Sequence, residues 1–272
     1  MPIMNPSHEK AKALLDSGMK AMREMRRAEA EQAFREAVER AGGDERLHAR
    51  ALARLLYALA SQGRAHELAR TIADAARANL ARGTDEVAAL VLQSCFLRFI
   101  PVQHPDSARV LAKFAAQARK RPQDLDVARA AAQVAIVSSD RGDHQTASRL
   151  LEAAAPVLER ELGARDAEYA LVLFNLADVR AALAGSYEGV LPMLRRAIAI
   201  QEAALDAGHF ERVMPLATLG LALVRGGKPD EGRAALERAL EIALAIEGID
   251  GRTPQRIRAE LGKLTSARNP AA

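Results

Sequence analysis

Tryptophan is missing from this 272-residue chain, and aromatic residues make up only 3% of it. A core without large rings has to be built mostly from alanine and leucine. That suits closely spaced helices and suits a sandwich or barrel poorly. One cysteine, Cys95, excludes an intramolecular disulfide. Set in the apolar run VLQSCFLRFI, it reads as a small buried hydrophobe rather than a nucleophile. No run of about 18 uninterrupted apolar residues exists to span a bilayer. The start, MPIMNPSHEK, lacks the basic segment and long apolar run of a secretory signal. The expectation is a cytoplasmic protein with no membrane insertion. Lysine is scarce too, 7 residues against 32 arginines, and the formal net charge is only +4. Acids and bases alternate, as in RRAEAEQAFREAVER, which reads as a solvated helix face laced with i,i+4 pairs. That pattern disfavours nucleic-acid binding.

Alanine, by contrast, is abundant at 59 residues, and hydrophobic residues make up 49% of the chain, ample to bury a core. Six alanines share one register: Ala37, Ala75, Ala115, Ala154, Ala197 and Ala239, separated by 38, 40, 39, 43 and 42 residues. Seven residues before each stands a small or modest side chain (Ala30, Leu68, Ala108, Ala147, Val190, Gly232). Three before each is an apolar one (Phe34, Ile72, Ala112, Leu151, Leu194, Leu236). A recurring small residue marks a close helix crossing, where a larger side chain would push the backbones apart. The pattern predicts an all-α fold, a right-handed α-solenoid of about six antiparallel helix pairs with a C-terminal capping helix, forming one domain over 1–272.

Local signals place the repeats at about 7–41, 44–82, 84–120, 122–162, 166–206 and 208–248, with the capping helix at about 253–267. Ser7, Asp44, Thr84 and Thr253 are natural N-caps. Pro105, Pro122, Pro229 and Pro254 suit first-turn positions, where a missing N–H costs nothing. Gly63, Gly142, Gly185 and Gly227 each stand five residues before the start of a second helix, where a glycine accepts the positive φ that closes the first. Pro156 lies deep in a predicted helix and is expected to kink it. Pro192 sits nearer a helix start and disturbs less.

The segments LVLFNLADVRAALAGSYEGVLPMLRRAIAIQEAAL and PLATLGLALVRGGKPDEGRAALERALEIALAIEG, together with GMKAMREMRRAEAEQAFREAVERA, resemble the tetratricopeptide repeat family. The shared features are small residues at helix crossings, a glycine in mid-helix (Gly18, Gly220) and a tight turn before the second helix. The period exceeds the usual 34 throughout. The resemblance is to the longer repeats, of roughly 42 residues, of kinesin-light-chain-like and bacterial signalling proteins. It is poorest over 84–120, where Pro101 and Pro105 crowd the turn.

Motifs for catalysis are lacking. Glu45 and His48 form an E-x-x-H without the second one that a carboxylate-bridged di-iron bundle needs. His66-Glu67 begins an H-E-x-x-H, but Arg70 replaces the second histidine. RGGKPDEG departs from a phosphate-binding loop because Pro229 follows Lys228. The expectation is no enzyme, no metal and no cofactor.

The resemblance implies instead a non-enzymatic scaffold that holds a protein or peptide partner in a concave groove lined by the first helix of each pair. By register the groove residues are Lys12, Leu15, Met19 and Met22; Arg50, Ala53 and Tyr57; Leu90, Gln93 and Leu97; Arg129, Ala132 and Ile136; Val172, Asn175 and Val179; and Met214, Ala217, Leu221 and Arg225. Lys12, Met22, Arg50, Tyr57, Gln93, Arg129, Asn175, Met214 and Arg225 are the candidate recognition residues. Methionines adapt to varied apolar side chains, and arginines take carboxylates bidentately. The implied ligand is therefore an acidic or mixed acidic–apolar peptide. The alternative is a regulatory module of a bacterial signalling or transcription system, changing superhelical pitch on binding a small peptide or metabolite. Phe96, Phe99, Pro101 and His104 form the least regular segment, either core filler or an exposed hot spot. Homo-oligomerisation stays open.

Overall fold

A computed structural model of the chain describes residues 6–62, 64, 67, 70–71, 86–99, 107–249 and 251–268. Among them the fold is all α, with twelve α-helices, two 3-10 turns and no strand. The helices are α1 (Pro6–Arg23), α2 (Arg27–Arg40), α3 (Glu45–Ser61), α4 (Glu86–Phe99), α5 (Ser107–Ala118) and α6 (Leu125–Asp140), followed by α7 (His144–Leu162), α8 (Ala167–Ala184), α9 (Leu191–Ala204), α10 (Val213–Arg225), α11 (Pro229–Glu247) and α12 (Arg252–Arg268). The 3-10 turns, Glu188–Val190 and Phe210–Arg212, lead into α9 and α10. Thr84, Pro101, His104, Pro105, Gly63 and most of the second helix of the second pair fall outside the described residues, as do the side chains of Phe96 and Phe99.

Two compact units divide the chain, Met1–Asp143 and His144–Ala272. The boundary falls in the turn between α6 and α7, inside the fourth predicted pair. Within the first unit α1 packs on α2, α2 on α3, and α3 on α4, while α4 packs on both α5 and α6. Within the second, α7 through α12 each pack on the next helix in the chain. Neighbours in sequence are thus neighbours in space, as short connections require.

The alanine register is where these helices meet. Ala37, Ala154, Ala197 and Ala239 are all buried, and so are Phe34, Leu151, Leu194 and Leu236 three residues earlier. Ala75 is outside the described residues. The third pair departs from the scheme: Ala112 is exposed and Ala115 half-buried, whereas Phe114 and Ala118 are buried. The predicted stripe of α5 holds only alanines, Ala108, Ala112 and Ala115. The alternative stripe of Leu111, Phe114 and Ala118 carries more apolar area, and the larger area goes inward.

Two glycines show how tight the crossings are. A Cβ on Gly18 would overlap the Phe34 ring, which lies directly over it. In the sixth pair a Cβ on Gly220 would fall 2.6 Å from Leu236 Cγ and 2.8 Å from the Gly232 carbonyl oxygen. Both pairs therefore seat the apolar residue of the second helix on the mid-helix glycine of the first. The matching position of the fifth pair holds Asp178, and Tyr187 from the following turn donates its hydroxyl to Asp178 Oδ1 at 2.5 Å. Burial and the Asp178 carboxylate both push the Tyr187 phenol pKa up, which keeps it a donor.

Turn chemistry follows the same register. Gly142, Gly185 and Gly227 all have positive φ, between 66° and 81°. In the first pair the residue five before Ala30 is Met25, and it takes the left-handed conformation without being glycine (φ 59°). Asp44 caps α3 by accepting from the Leu47 N–H at 2.9 Å. Ser7 and Thr253 are not N-caps. Ser7 lies inside α1 and donates its hydroxyl to the Arg40 carbonyl at the end of α2, 2.9 Å away. Thr253 lies in the first turn of α12 and donates its N–H and hydroxyl to Glu247. Pro122 precedes the helix, whose N-cap is Asp124. Pro229 and Pro254 do occupy first turns, and Pro192 is the second residue of α9. Pro156 is exposed on α7, which continues through it to Leu162.

Candidate partner-binding surface

The first unit places three predicted residues close together. On α3, Arg50 and Tyr57 are seven residues apart and so share a helix face; their exposures are 42% for the Arg50 side chain and 39% for Tyr57. Arg50 Nε lies 3.4 Å from Asp126 Oδ1 in the first turn of α6. Arg129, one turn further along α6, points a guanidinium nitrogen at the same oxygen from 3.9 Å. Sequence reasoning missed the other members. Arg46, one turn before Arg50, pairs with Asp124 at 3.2 Å. Three guanidiniums from two helices thus gather about the carboxylates of Asp124 and Asp126.

Helix α4 packs against both α3 and α6, so these ion pairs link its two neighbours. Gln93 on α4 is half-buried, and its amide oxygen is buried with no hydrogen-bond partner. The Asp126 carboxyl is held above the ordinary aspartate range. Burial is the main cause and Asp124 adds to it, against the opposing pull of Arg50, Arg129 and Arg46. Folding therefore favours the neutral form of Asp126. At neutral pH its ionised form subtracts from stability, and that cost is relieved as pH falls through the raised pKa.

The remaining predicted residues of this unit divide. Lys12 is exposed and pairs with Glu9 at 2.9 Å. Met22 offers no recognition surface, being 7% exposed within the core cluster. It belongs with Ala11, Leu15 and Gly18 to the buried stripe of α1, spaced by four, three and four residues. Leu15, Leu90, Leu97 and Ala132 are buried as well, while Met19, Ala53 and Ile136 are half-buried.

In the second unit Met214 is 47% exposed, Arg225 is exposed, and Asn175 and Leu221 are half-buried. Val172, Val179 and Ala217 are buried in the core. The positive charge of Arg225 acts on Tyr187, partly opposing the upward push on its pKa. Arg225 on α10 therefore stands near the turn that follows α8.

Cys95 is no nucleophile at neutral pH, because burial pushes its thiol pKa up to about 12. His48 of the E-x-x-H places ring Nδ1 3.3 Å from the Val38 carbonyl oxygen, an ordinary hydrogen-bonding environment. No helix among the described residues is long and apolar enough to cross a membrane.

Residues 126–203 match the model of the tetratricopeptide repeat family. No curated protein matches the chain. Among solved structures, BtubC (BKLC) from P. vanneervenii superposes with a TM-score of 0.57 at 17% identity, over 90% of this chain and 93% of that one. A chain of the APC/C hetero-tetramer Cut9-Hcn1 gives a TM-score of 0.60 at 14% identity, over 96% of this chain and 43% of its own. A Podosopora anserina putative kinesin light chain with nearly identical TPR-like repeats aligns at 15% identity over 89% of this chain and 98% of that one, with a TM-score of 0.36. The first two similarities establish a shared fold. Residues 126–203 are therefore similar to tetratricopeptide repeats, and they lie within an all-α helical-repeat fold.

Proposed function

We propose that the protein is a non-enzymatic cytoplasmic scaffold that binds a protein or peptide partner along the first helices of its pairs. The observation that carries this reading is the convergence of Arg46, Arg50 and Arg129 from α3 and α6, with exposed Tyr57 on the same face of α3. Guanidiniums recognise carboxylates through paired donors, and an exposed aromatic beside them supplies apolar contact area at low entropic cost. The partner is an acidic or mixed acidic–apolar segment. Met214 and Arg225 give the second unit a smaller surface of the same apolar-plus-cation kind. Rigid helices hold such groups in place before binding, so little ordering entropy is lost.

Simultaneous alanine substitution of Arg50, Tyr57, Arg129 and Arg225 is expected to weaken capture of the partner from native cell extract by at least tenfold, on the scale of a lost hot spot. Far-ultraviolet circular dichroism should show unchanged helicity. Undiminished capture by a folded variant would remove these residues from the recognition surface.

A further inference from the structure

We propose that the last helix pair, α11 with α12, is a self-association surface, on which the acidic face of α11 in one copy meets the basic face of α12 in a second copy. This surface lies wholly within the second unit and does not involve α3 or α6.

Charge in this pair is sorted by helix rather than alternated. On α11, Glu237 and Glu241 are exposed and stand four residues apart; on α12, Arg252 and Arg256 are exposed at the same spacing. Among the described residues, none of these four side chains has an ion-pair partner. Helix α2 behaves differently: there Arg35 pairs with Glu31, and Arg40 with Glu36, along the same helix. Like charges four residues apart repel across one helical turn, so each doublet is unfavourable in the isolated chain. The adjacent opposite charges are engaged elsewhere. Arg238 pairs with Glu202 on α9, and Glu260 pairs with Lys263 at 2.7 Å.

The two unmet doublets are complementary to each other. Each spans about 6 Å of helix, at about 1.5 Å per residue, so the arginines of one copy match the carboxylates of another in spacing as well as sign. Helix α12 packs on α11, burying Pro254 and Ile257 and leaving Arg252, Arg256, Ala259 and Gly262 exposed. The small residues on that face let another helix approach closely. In the turn between the two helices Ile249 is 66% exposed, the most open large apolar side chain among the described residues, and it adds apolar contact beside the ion pairs. Residues 229–268 hold seven acids and seven bases. A polyanion would therefore meet carboxylates on the same helix pair, whereas a copy of the pair offers each sign its opposite. A two-fold axis satisfies both contacts at once.

The test is sedimentation velocity of the full chain over a concentration series. The unsubstituted chain is expected to dimerise, with a dissociation constant that rises at least tenfold between about 0.05 M and about 0.5 M salt, as exposed charges are screened. Arg252→Glu with Arg256→Glu should weaken the dimer about a hundredfold, and so should Glu237→Arg with Glu241→Arg, because each set turns attraction into like-charge repulsion. Mixing the two variants should restore a dimer, since one is acidic on both helices and the other basic on both.

All four positions are exposed, so helicity and melting temperature should stay within the range of surface substitutions. Glutamine at either doublet is the milder second set, with dimerisation expected to weaken about tenfold. A monomer at every concentration, a dimer indifferent to both reversals, or mixed variants that stay monomeric would each overturn the proposal. If the reversed chains fail to fold, unchanged dimerisation of both glutamine variants overturns it. Decathymidylate binding by a monomeric chain, lost on Arg252→Glu with Arg256→Glu, would assign the basic face to nucleic acid instead and overturn it too.

Discussion

Replacing Phe34 with alanine is expected to destabilise the first unit by about 3–5 kcal/mol, the range for removing a fully buried ring. The ring has no solvent exposure and covers Gly18, where even one added carbon would overlap it. The backbones of α1 and α2 already approach closely there, and tightly packed helices collapse only in part around a cavity. Alanine also gives up apolar area in a core otherwise made mainly of alanine and leucine. Urea unfolding followed by circular dichroism gives the value directly. A loss below about 1 kcal/mol, the scale of a surface substitution, would show that Phe34 is not the centre of this crossing.

Gly232→Leu is expected to cost about 3 kcal/mol or more, the upper end of overpacking effects. A Cβ at this position would meet the Gly220 carbonyl oxygen and Val224 Cγ2, each at 2.6 Å, and the Val224 backbone nitrogen at 3.0 Å. Two of those three atoms belong to the backbone of α10, which cannot rotate away as a side chain can. The helices would have to separate, breaking the seat of Leu236 on Gly220. Gly232→Ala sharpens the test, because alanine is the better helix former by about 1 kcal/mol. If propensity dominated, that variant would be stabilised; if the crossing dominates, it is destabilised. The same unfolding titration distinguishes them.

These crossings were legible in the sequence because they depend on side-chain size at fixed spacing. Ala37, Ala154, Ala197 and Ala239, each with its apolar partner three residues earlier, needed no information beyond periodicity. The turn glycines were legible for the same reason. Met25 was not, since its φ of 59° replaces glycine by conformation rather than by residue type. The third pair misled because α5 is so rich in alanine that two stripes compete, and only the weight of Leu111 and Phe114 decides between them.

Caps with an alternative hydrogen-bonding partner were also misread. Ser7 serves the carboxyl end of α2, and Thr253 is held by Glu247 rather than starting its own helix. The candidate surface was half legible. Arg50, Tyr57 and Arg129 followed from register, but pairing across 78 positions, as between Arg46 and Asp124, leaves no local signature. Met22 was placed on the surface because positions 12, 15, 19 and 22 mix two stripes of α1, and its burial beside Gly18 corrects that.

The proposed recognition surface on α3, α4 and α6 is tested most directly by hydrogen–deuterium exchange of the full chain, with and without its captured partner. Protection on binding should concentrate in peptides covering 45–61, 86–99 and 125–140, and the Arg50, Tyr57, Arg129 and Arg225 alanine variant should lose it. Protection confined to α2 and α5, with α3 and α6 unchanged, would contradict the account.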